Sequence, residues 1–263
     1  MDPVEELRAR IPALTREAAE EMVVNAQAER RNADGDADIQ DFKCYRDEGR
    51  RGYATVEVMN DNYHDFCNKV DMDDKLSVSR SYAISTPEEH EFIIERKSVT
   101  SFDRDECRNA FKDIVHGCGS GPDNPMNWKF GGRLKKPAIA FEARVKRTMR
   151  PWPPPHEPYG TCEAMSRFHS GSHFKFRGAG YAGWDHGQQT ILKVLETCLT
   201  GGRVMSWDIE YFDKPDEDGY EWEVNFAVLA RMEHLQMCGG EKHLIAAAGG
   251  LTGSCWGLTR KWA

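Results

Sequence analysis

The amino-acid sequence predicts an α+β protein of two pseudo-repeated units, each a helix on an antiparallel sheet, with disulfides as stabilising links. Three observations lead to this fold class. Stretches in which apolar residues take every second position, as in half-buried strands, alternate with stretches of helical apolar spacing. Eight cysteines form an even set, and a proline-rich segment divides the chain into two stretches of similar pattern.

Residues 1–40 are predicted to form an N-terminal helical arm or pro-segment. Apolar residues recur at helical spacing from Val4 to Ala26. A polar stretch without core-forming residues, Asn32–Asp38, then separates this helix from the rest of the chain. The segment is therefore expected to be detachable.

The first α+β unit is predicted over residues 41–150. Helices are expected where the apolar spacing is helical, and Asp103 or Asp105 can cap the second one. Strands are expected where apolar and polar residues alternate. In chain order, the predicted elements are a helix over Tyr53–Val70, a strand pair over Lys75–Ile84 and around Phe92–Ile94, a helix ending at Cys118, and strands over Met126–Phe130 and Ala138–Lys146, with Gly131 and Gly132 between them.

A connector and a second unit follow. Residues 151–160 contain three consecutive prolines, Pro153–Pro155, which favour a stiff extended spacer. The second α+β unit, residues 161–263, is expected to pack with the first as one globule. Its predicted elements are a strand over Ser172–Phe176, a helix over Gln188–Cys198, a hairpin over Met205–Leu229 and a short helix over Glu241–Ala248.

The two units share an order of elements that suggests an internal repeat. In the first unit, the helix ending at Cys118 is followed by Met126-Asn-Trp-Lys-Phe130. In the second unit, the helix ending at Cys198 is followed by Met205-Ser-Trp-Asp-Ile209. A Met-x-Trp strand after a helix and a cysteine occurs twice, which predicts a duplicated unit.

Charge and motif content argue against several function classes. The net charge of −8, with lysines and arginines scattered among acidic residues, argues against a nucleic-acid partner. No apolar run approaches the roughly 20 residues of a membrane span. The glycines at 178, 180, 249 and 250 lie in stretches too short to cradle a phosphate, and no cofactor or metal site is predicted.

The cysteine usage favours an extracellular protein. The eight cysteines contain no CxxC pair and do not alternate with histidine, so they are not typical of a zinc site. An even set fits up to four disulfides, which form in oxidising compartments. A cytosolic protein with buried thiols is the alternative.

Several of these segments resemble proteins of filamentous fungi. The stretch from Trp184 to Gly257, with Asp216-x-Asp-Gly-Tyr-x-Trp222, resembles uncharacterised cysteine-framed secreted proteins of these fungi. Cys44-Tyr-Arg, Phe66-Cys67 and Cys107–Gly132 resemble segments that accompany large fungal chitinases. The resemblance implies secretion and a cell-wall or host-facing role. It implies no activity, because the chitinase motif DxxDxDxE is absent.

The hairpin over Met205–Leu229 carries the main candidates for catalysis. Its expected core side consists of Met205, Trp207, Ile209 and Tyr211 together with Tyr220, Trp222, Val224 and Phe226. Its opposite side then carries Asp208, Glu210, Glu221 and Glu223. Two carboxylates about 5 to 9 Å apart can act as acid and base in glycoside hydrolysis. The simpler interpretation is a solvated side, which antiparallel sheets commonly have.

Histidines and aromatic residues supply the remaining candidates. His173 and His186 are candidate acid–base partners of the hairpin carboxylates, with surface or hydrogen-bonding histidines as the alternative. Four aromatic residues fall in predicted loops between the halves: Trp152, Tyr159, Tyr181 and Trp184. Aromatic rings in such a place can stack on sugar rings or line a ligand pocket. Packing against the proline segment is the alternative.

These observations favour a secreted extracellular binding protein of fungal type, wall-associated or host-facing, with a glycan or a small molecule as its ligand. The alternative is an enzyme that works in a cleft between the two units. Its substrate would be a glycan or another small hydroxylated molecule, and its chemistry would use carboxylate and histidine groups as acid and base.

Overall fold

The computed structural model describes residues 41–46, 48–119, 121–168, 171–198, 203–229 and 255–256. These residues divide into two compact units. The first comprises the described residues up to Tyr82 and from His90 to Thr148, and the second comprises Ala83–Glu89 and those from Met149 onward. The predicted arm at 1–40 and the predicted helix over Glu241–Ala248 lie outside the described residues.

The first unit is a five-stranded antiparallel sheet with two helices. The helices are α1 (Val56–Lys69) and α2 (Arg104–Gly117). The strands are β1 (Asp41–Cys44), β2 (Ser77–Tyr82), β3 (His90–Arg96), β4 (Gly131–Lys135) and β5 (Ile139–Val145), in the spatial order β1-β4-β5-β3-β2. Both predicted helices and the predicted hairpin β2–β3 are confirmed, whereas the sequence did not predict β1.

The two helices form where the sequence supplies an apolar stripe. On α2, the Asp103 carboxylate accepts a hydrogen bond from the Asp105 backbone N–H at 2.8 Å and caps the helix as predicted. The buried face of α2 consists of Cys107, Ala110, Phe111, Ile114 and Val115, and that of α1 consists of Val58, Met59, Tyr63, Phe66 and Cys67. Both helices therefore turn an apolar face towards the core of this unit.

Aromatic rings and two disulfides hold the first unit together. The rings of Phe66, Phe92, Phe111 and Phe141 contact one another at centroid distances of 4.9 to 5.9 Å. Such ring contacts stabilise a core beyond the area that they bury. Cys67–Cys107 joins α1 to α2, and Cys44–Cys118 joins β1 to the residue after α2. The helices are thus linked covalently as well as by packing.

Residues Met126–Phe130 do not form the predicted strand. Asn124 holds this segment as a turn, because its side-chain oxygen accepts from the Trp128 backbone N–H at 3.0 Å. The Asn124 amide nitrogen donates to the carbonyl oxygens of Gly119 and Trp128 at 2.6 and 2.8 Å. These side-chain bonds take the place of a strand ladder over most of the segment.

The two glycines predicted to separate strands instead begin β4. Gly131 has a left-handed φ of 77°, a conformation that glycine adopts without strain. At Gly132, a Cβ would lie 2.6 Å from the Lys43 carbonyl oxygen of β1. Glycine is therefore needed where β4 starts its pairing with β1.

The second unit is a five-stranded sheet with a short helix. Its strands are β6 (Tyr159–Phe168), β7 (Gly171–Ala179), β8 (Arg203–Tyr211), β9 (Trp222–Leu229) and β10 (Cys255–Trp256), in the order β10-β6-β7-β9-β8. β10 runs parallel to β6, and the other neighbours are antiparallel. A π-helical turn (Gln188–Leu192) leads into α3 (Lys193–Cys198). The predicted strand, helix and hairpin in this region are confirmed, whereas β6 was not predicted.

Both sheets contain the succession hairpin, helix, hairpin. In each sheet, the second strand of the first hairpin lies beside the second strand of the other hairpin. These adjacent strands are β3 and β5 in the order β2-β3-β5-β4, and β7 and β9 in the order β6-β7-β9-β8. The fifth strand differs, because β1 lies beside β4 and β10 lies beside β6. The sequence alignment behind the predicted repeat also fails at one point, since Met126–Phe130 is a turn and Met205–Ile209 lies within β8. The repeat itself stays a proposal.

Removal of either disulfide is expected to destabilise the protein by about 4 kcal/mol. The paired cysteines are 74 and 40 residues apart, and opening loops of this length increases the entropy of the unfolded chain. The double variants Cys44→Ser/Cys118→Ser and Cys67→Ser/Cys107→Ser remove both cysteines of a disulfide, so no unpaired partner remains. Urea unfolding of each is compared with that of the unaltered chain, and an unchanged midpoint in both would contradict the two pairings.

Candidate functional site

The hairpin β8–β9 has the two-sided pattern that the sequence predicts, with one shift. Trp207 pairs with Phe226 on the core side. A bulge between Val204 and Ser206 changes the alternation near the start of β8. Met205 is therefore 59% exposed instead of lying in the core, and Val204 packs against the core in its place.

The other side of this sheet brings several predicted catalytic residues together. We call it the second polar face; it consists of His173, Lys175 and Arg177 on β7, Asp208 and Glu210 on β8, and Glu223 and Asn225 on β9. Glu210 lies directly opposite Glu223 in the strand register. Like charges in that position destabilise a strand pair unless cations lie between or beside them.

Cations from β7 surround Glu223. Its carboxylate oxygens lie 2.9 Å from Lys175 Nζ and 2.9 Å from Arg177 Nε, and Asn225 Nδ2 donates to it at 3.0 Å. Burial favours the neutral acid, but these hydrogen bonds outweigh burial and hold the pKa of Glu223 below its ordinary value. Glu223 is therefore a stable carboxylate, whereas a general acid needs a raised pKa.

Glu221 is buried, although the sequence predicts it on the solvated side. Only 3% of the residue is exposed. The Arg150 guanidinium binds both of its carboxylate oxygens, with Nη2 3.0 Å from Oε2, and the Gly180 backbone N–H donates to Oε2 at 3.1 Å. Sequence spacing gives no sign of this ion pair, because its partners are 71 residues apart. The pair fixes the chain at Arg150 to the start of β9.

The two predicted catalytic histidines have different surroundings. His173 is half-buried on β7 and pairs in register with Ala227. His186 is exposed, has a left-handed φ of 53°, and lies with its ring centroid 5.1 Å from that of Tyr211. Its backbone N–H donates to Tyr211 Oη at 2.9 Å. His173 thus lies on the second polar face, whereas His186 lies in the turn before the π-helical segment.

Asp185, next to His186, has a structural role. Its carboxylate accepts hydrogen bonds from the backbone N–H groups of Gly187, Gln189 and Thr190 at 2.8 to 2.9 Å. These bonds satisfy donors at the start of the π-helical turn that would otherwise have no helical partner. In the part of the chain that the structure describes, no group of three His, Cys, Asp or Glu residues is placed to hold a metal ion.

The four predicted ligand-binding aromatic residues differ in exposure. Tyr181 is 6% exposed and belongs to the hydrophobic core of the second unit. Tyr159 is half-buried; its hydroxyl donates to the Gly219 carbonyl at 2.7 Å, and burial raises its pKa to about 12. Trp184 is half-buried, and Trp152 is 42% exposed. Trp152 is therefore the most accessible ring of the four.

The first sheet also has a polar side, which the sequence does not predict as a site. The helices pack against the core side of this sheet, and the alternate side chains point to the other side. We call it the first polar face. Its charged strand residues are Asp41, Glu91, Glu95 and Glu142 against Lys43, Arg133, Lys135 and Arg144, so four acids balance four bases. The alternation of polar and apolar residues in β2 and β3 is the sequence pattern that indicates this polar side.

Glu142 lies near the centre of the first polar face. The Tyr45 hydroxyl donates to Glu142 Oε1, and Arg144 Nε donates to the same oxygen at 3.0 Å. The Arg50 guanidinium lies over the Tyr45 ring, 3.5 Å from its centroid. Burial and the hydrogen bond to Glu142 raise the pKa of Tyr45, so its hydroxyl remains a donor.

Three of the four charged register pairs on the first polar face join opposite charges; Lys43 opposite Arg133 is the exception. Arg133 lies directly opposite Glu142, and Arg144 directly opposite Glu91. Arg133 Nη2 also donates to Glu95 Oε2 at 2.8 Å, while Arg133 Nε is buried and has no hydrogen-bond partner among the described residues. Cross-strand pairs of opposite charge stabilise a sheet, so this arrangement contributes to the fold as well as forming a surface.

Comparison with known proteins yields two family matches. Residues 38–146 match the fungal lectin 2 family, whose description is "Putative glycan binding domain". Residues 158–259 match a family described as "Fungal ACT-like domain". No curated protein and no solved structure gives a significant match. The first match supports a fungal glycan-binding protein. Both descriptions agree with the fungal resemblance of the sequence, and neither shows a similarity to chitinases.

The glycan-binding description falls on a different part of the chain from the predicted site residues. Residues 38–146 contain all of β1 to β5 and the first polar face. The predicted catalytic and ligand-binding residues all lie between Trp152 and Glu223. In the described ranges, no helix is both long and apolar enough to cross a bilayer.

Loss of one partner from the Arg150–Glu221 pair is expected to destabilise the protein by about 3 to 5 kcal/mol, because the other charge stays buried without its counter-ion. Glu221→Gln and Arg150→Met are the single variants, and Glu210→Gln on the exposed side of β8 is the control. The double variant Arg150→Met/Glu221→Leu is expected to lose less stability than either single variant, because neither charge of the pair then stays buried. Urea unfolding measures the four variants; single variants as stable as the control would contradict the buried pair.

Proposed function

We propose that this protein is an extracellular glycan-binding protein of fungal type, and that its first unit contains the binding site. The observation that carries the proposal is the match of residues 38–146 to a family described as glycan-binding. These residues include the complete first sheet, α1, α2 and both described disulfides. The candidate ligand surface therefore belongs to a covalently cross-linked unit.

The disulfides support the extracellular location; the wall-associated or host-facing role rests on the fungal resemblance of the sequence. Cys44–Cys118 and Cys67–Cys107 join elements far apart in sequence. Such bonds persist in oxidising environments and are rare where thioredoxin and glutathione keep thiols reduced.

Binding is favoured over hydrolysis by the state of the hairpin carboxylates. A glycosidase of the usual type needs one carboxylic acid that is protonated at working pH and a second carboxylate nearby. Glu223 has a lowered pKa among its cationic partners, and Glu221 is held by Arg150. An enzymatic role would therefore fall on Asp208, Glu210 and His173 of the second polar face. That face lies outside the residues matched by the glycan-binding description.

Hydrogen–deuterium exchange on the whole chain tests where a glycan binds. The probes are soluble hexasaccharides of glucose, mannose and N-acetylglucosamine. We expect slower exchange in peptides from residues 41–146 when a probe is present, and unchanged exchange in peptides from residues 159–229, because the first unit is the proposed site. Protection restricted to residues 159–229 would contradict this location.

The same mixtures test for turnover. A binding protein leaves the hexasaccharides intact, so chromatography after prolonged incubation is expected to show no shorter saccharides. Shorter products would favour the enzyme instead, and their loss in Asp208→Asn or Glu210→Gln would assign the reaction to the second polar face.

Secretion is tested by the location of the protein in a fungal culture. We expect the chain to accumulate in the culture filtrate, with thiols that resist alkylation until a reductant is added, because disulfides mature along the secretory route. A cytosolic enzyme followed in the same filtrate controls for lysis. Retention inside the cells with all cysteines open to alkylation would contradict the extracellular proposal.

A further inference from the structure

We propose that the first polar face is the surface that contacts the glycan, and that its ligand is a neutral, hydroxyl-rich saccharide. This inference rests on the proposed glycan-binding function and adds to it the contact residues and the ligand class. The centre of the surface lies on the adjacent strands β4, β5 and β3, which carry Arg133, Glu142 and Glu95.

The centre has hydrogen-bonding capacity that the described residues do not use. Glu142 is only 7% exposed, and every hydrogen bond that the described residues make to its carboxylate reaches Oε1, from Tyr45 and Arg144, so Oε2 is the oxygen left as an acceptor. Directly opposite, Arg133 donates through Nη2 to Glu95; its Nε is buried, but its side chain is 39% exposed and Nη1 makes no hydrogen bond to the described residues. A carboxylate oxygen and a guanidinium with remaining donors are therefore neighbours.

Adjacent hydroxyl groups of a sugar ring complement this arrangement. A hydroxyl can both donate and accept, so one can donate to Glu142 while its neighbour accepts from Arg133. Hydrogen bonds to charged groups are about twice as strong as those between neutral groups. Ile93 pairs in register with Glu142 and is half-buried, so it supplies apolar surface for the C–H groups of the ring.

The balance of charges favours a neutral saccharide over an ionic one. The four acidic and four basic strand residues of this face cancel, and Lys146, just after β5, adds one cation that donates to Ser81 and lies 3.9 Å from Glu91, although the whole chain has a net charge of −8. A sulfated or carboxylated saccharide would bring its anionic groups close to Glu142 and Glu95 as well as to the arginines, and like charges in contact weaken binding. A neutral saccharide can contact groups of both signs without this penalty.

A second polar cluster in the first unit has its central groups engaged within the protein. Asp65 on α1 accepts from Tyr82 Oη at 3.0 Å and forms ion pairs with Lys69 and Arg80. The Tyr82 ring is stacked with that of His90, with centroids 5.9 Å apart. Both oxygens of the Asp65 carboxylate are engaged, whereas Oε2 of Glu142 is not, which favours the first polar face.

Matched substitutions on the two polar faces test the proposal. Arg133→Ala and Glu142→Gln alter the first face. Arg177→Ala is the control, because Arg177 forms an Arg–Glu pair with Glu223 on the second face and its side chain is 35% exposed, against 39% for Arg133. Isothermal titration of the full chain uses hexasaccharides of glucose, mannose and N-acetylglucosamine, with heparin-derived hexasaccharides as the anionic probe.

We expect Arg133→Ala and Glu142→Gln each to weaken binding of a neutral hexasaccharide by about tenfold or more, and Arg177→Ala to change it by less than about twofold. Thermal unfolding of each variant confirms that it is folded. Raising the salt concentration to about 0.5 M is expected to leave binding of the neutral probe unchanged, since no ionic attraction is screened.

Three results would count against the proposal in distinguishable ways. Equal affinity of the unaltered chain, Arg133→Ala and Glu142→Gln for a neutral hexasaccharide would overturn the surface and leave the glycan-binding function in place. Binding of the heparin-derived probe alone, lost at high salt, would overturn the ligand class. Absence of binding to every hexasaccharide by the unaltered chain would overturn the glycan-binding function itself.

Discussion

In both units, helices pack against one side of the sheet and thereby determine which strand side chains reach the other side. In the first unit, α1 and α2 meet the aromatic core, and Cys67–Cys107 joins them. In the second unit, Ile191 and Leu195 pack with the apolar side of β7 and β9. Successive side chains of a strand point to opposite sides, so each residue that meets a helix has neighbours that point away from it. Polar surfaces built on rigid strands follow directly from this packing, and rigid elements place functional groups more accurately than loops do.

The sequence predicts the elements whose patterns are local. The hairpins β2–β3 and β8–β9 follow from alternation, and α2 follows from its apolar stripe and the Asp103 cap. β1 has four residues and depends on pairing with β4, which is far away in the chain, so alternation gave no signal for it. At Met126–Phe130, the local pattern predicts a strand that does not form, because side-chain hydrogen bonds from Asn124 hold the segment as a turn.

The candidate site is less accessible to sequence reasoning than the fold. The carboxylates of the hairpin β8–β9 take alternate positions in a regular local pattern, but the cations that bind them are far away in the sequence. Glu221 pairs with Arg150 from 71 residues away, and Glu142 accepts from Tyr45 from 97 residues away. Whether a carboxylate is exposed, paired or available to a ligand depends on such contacts, and no local pattern contains them. The first polar face is assembled from all five strands of its sheet and therefore has no continuous sequence signature.

The two polar faces show why a shared order of hairpin, helix and hairpin does not assign a shared function. In the second sheet, Glu210 lies opposite Glu223, and Lys175 and Arg177 must stay beside Glu223 to offset this repulsion. A ligand that drew those cations away would weaken the hairpin itself. In the first sheet, Arg133 lies opposite Lys43 on one side and Glu142 on the other, so the register supplies an opposite charge beside the like one. A neutral ligand can add hydrogen bonds there without separating any pair, and the first sheet is accordingly the better scaffold for reversible binding of a saccharide.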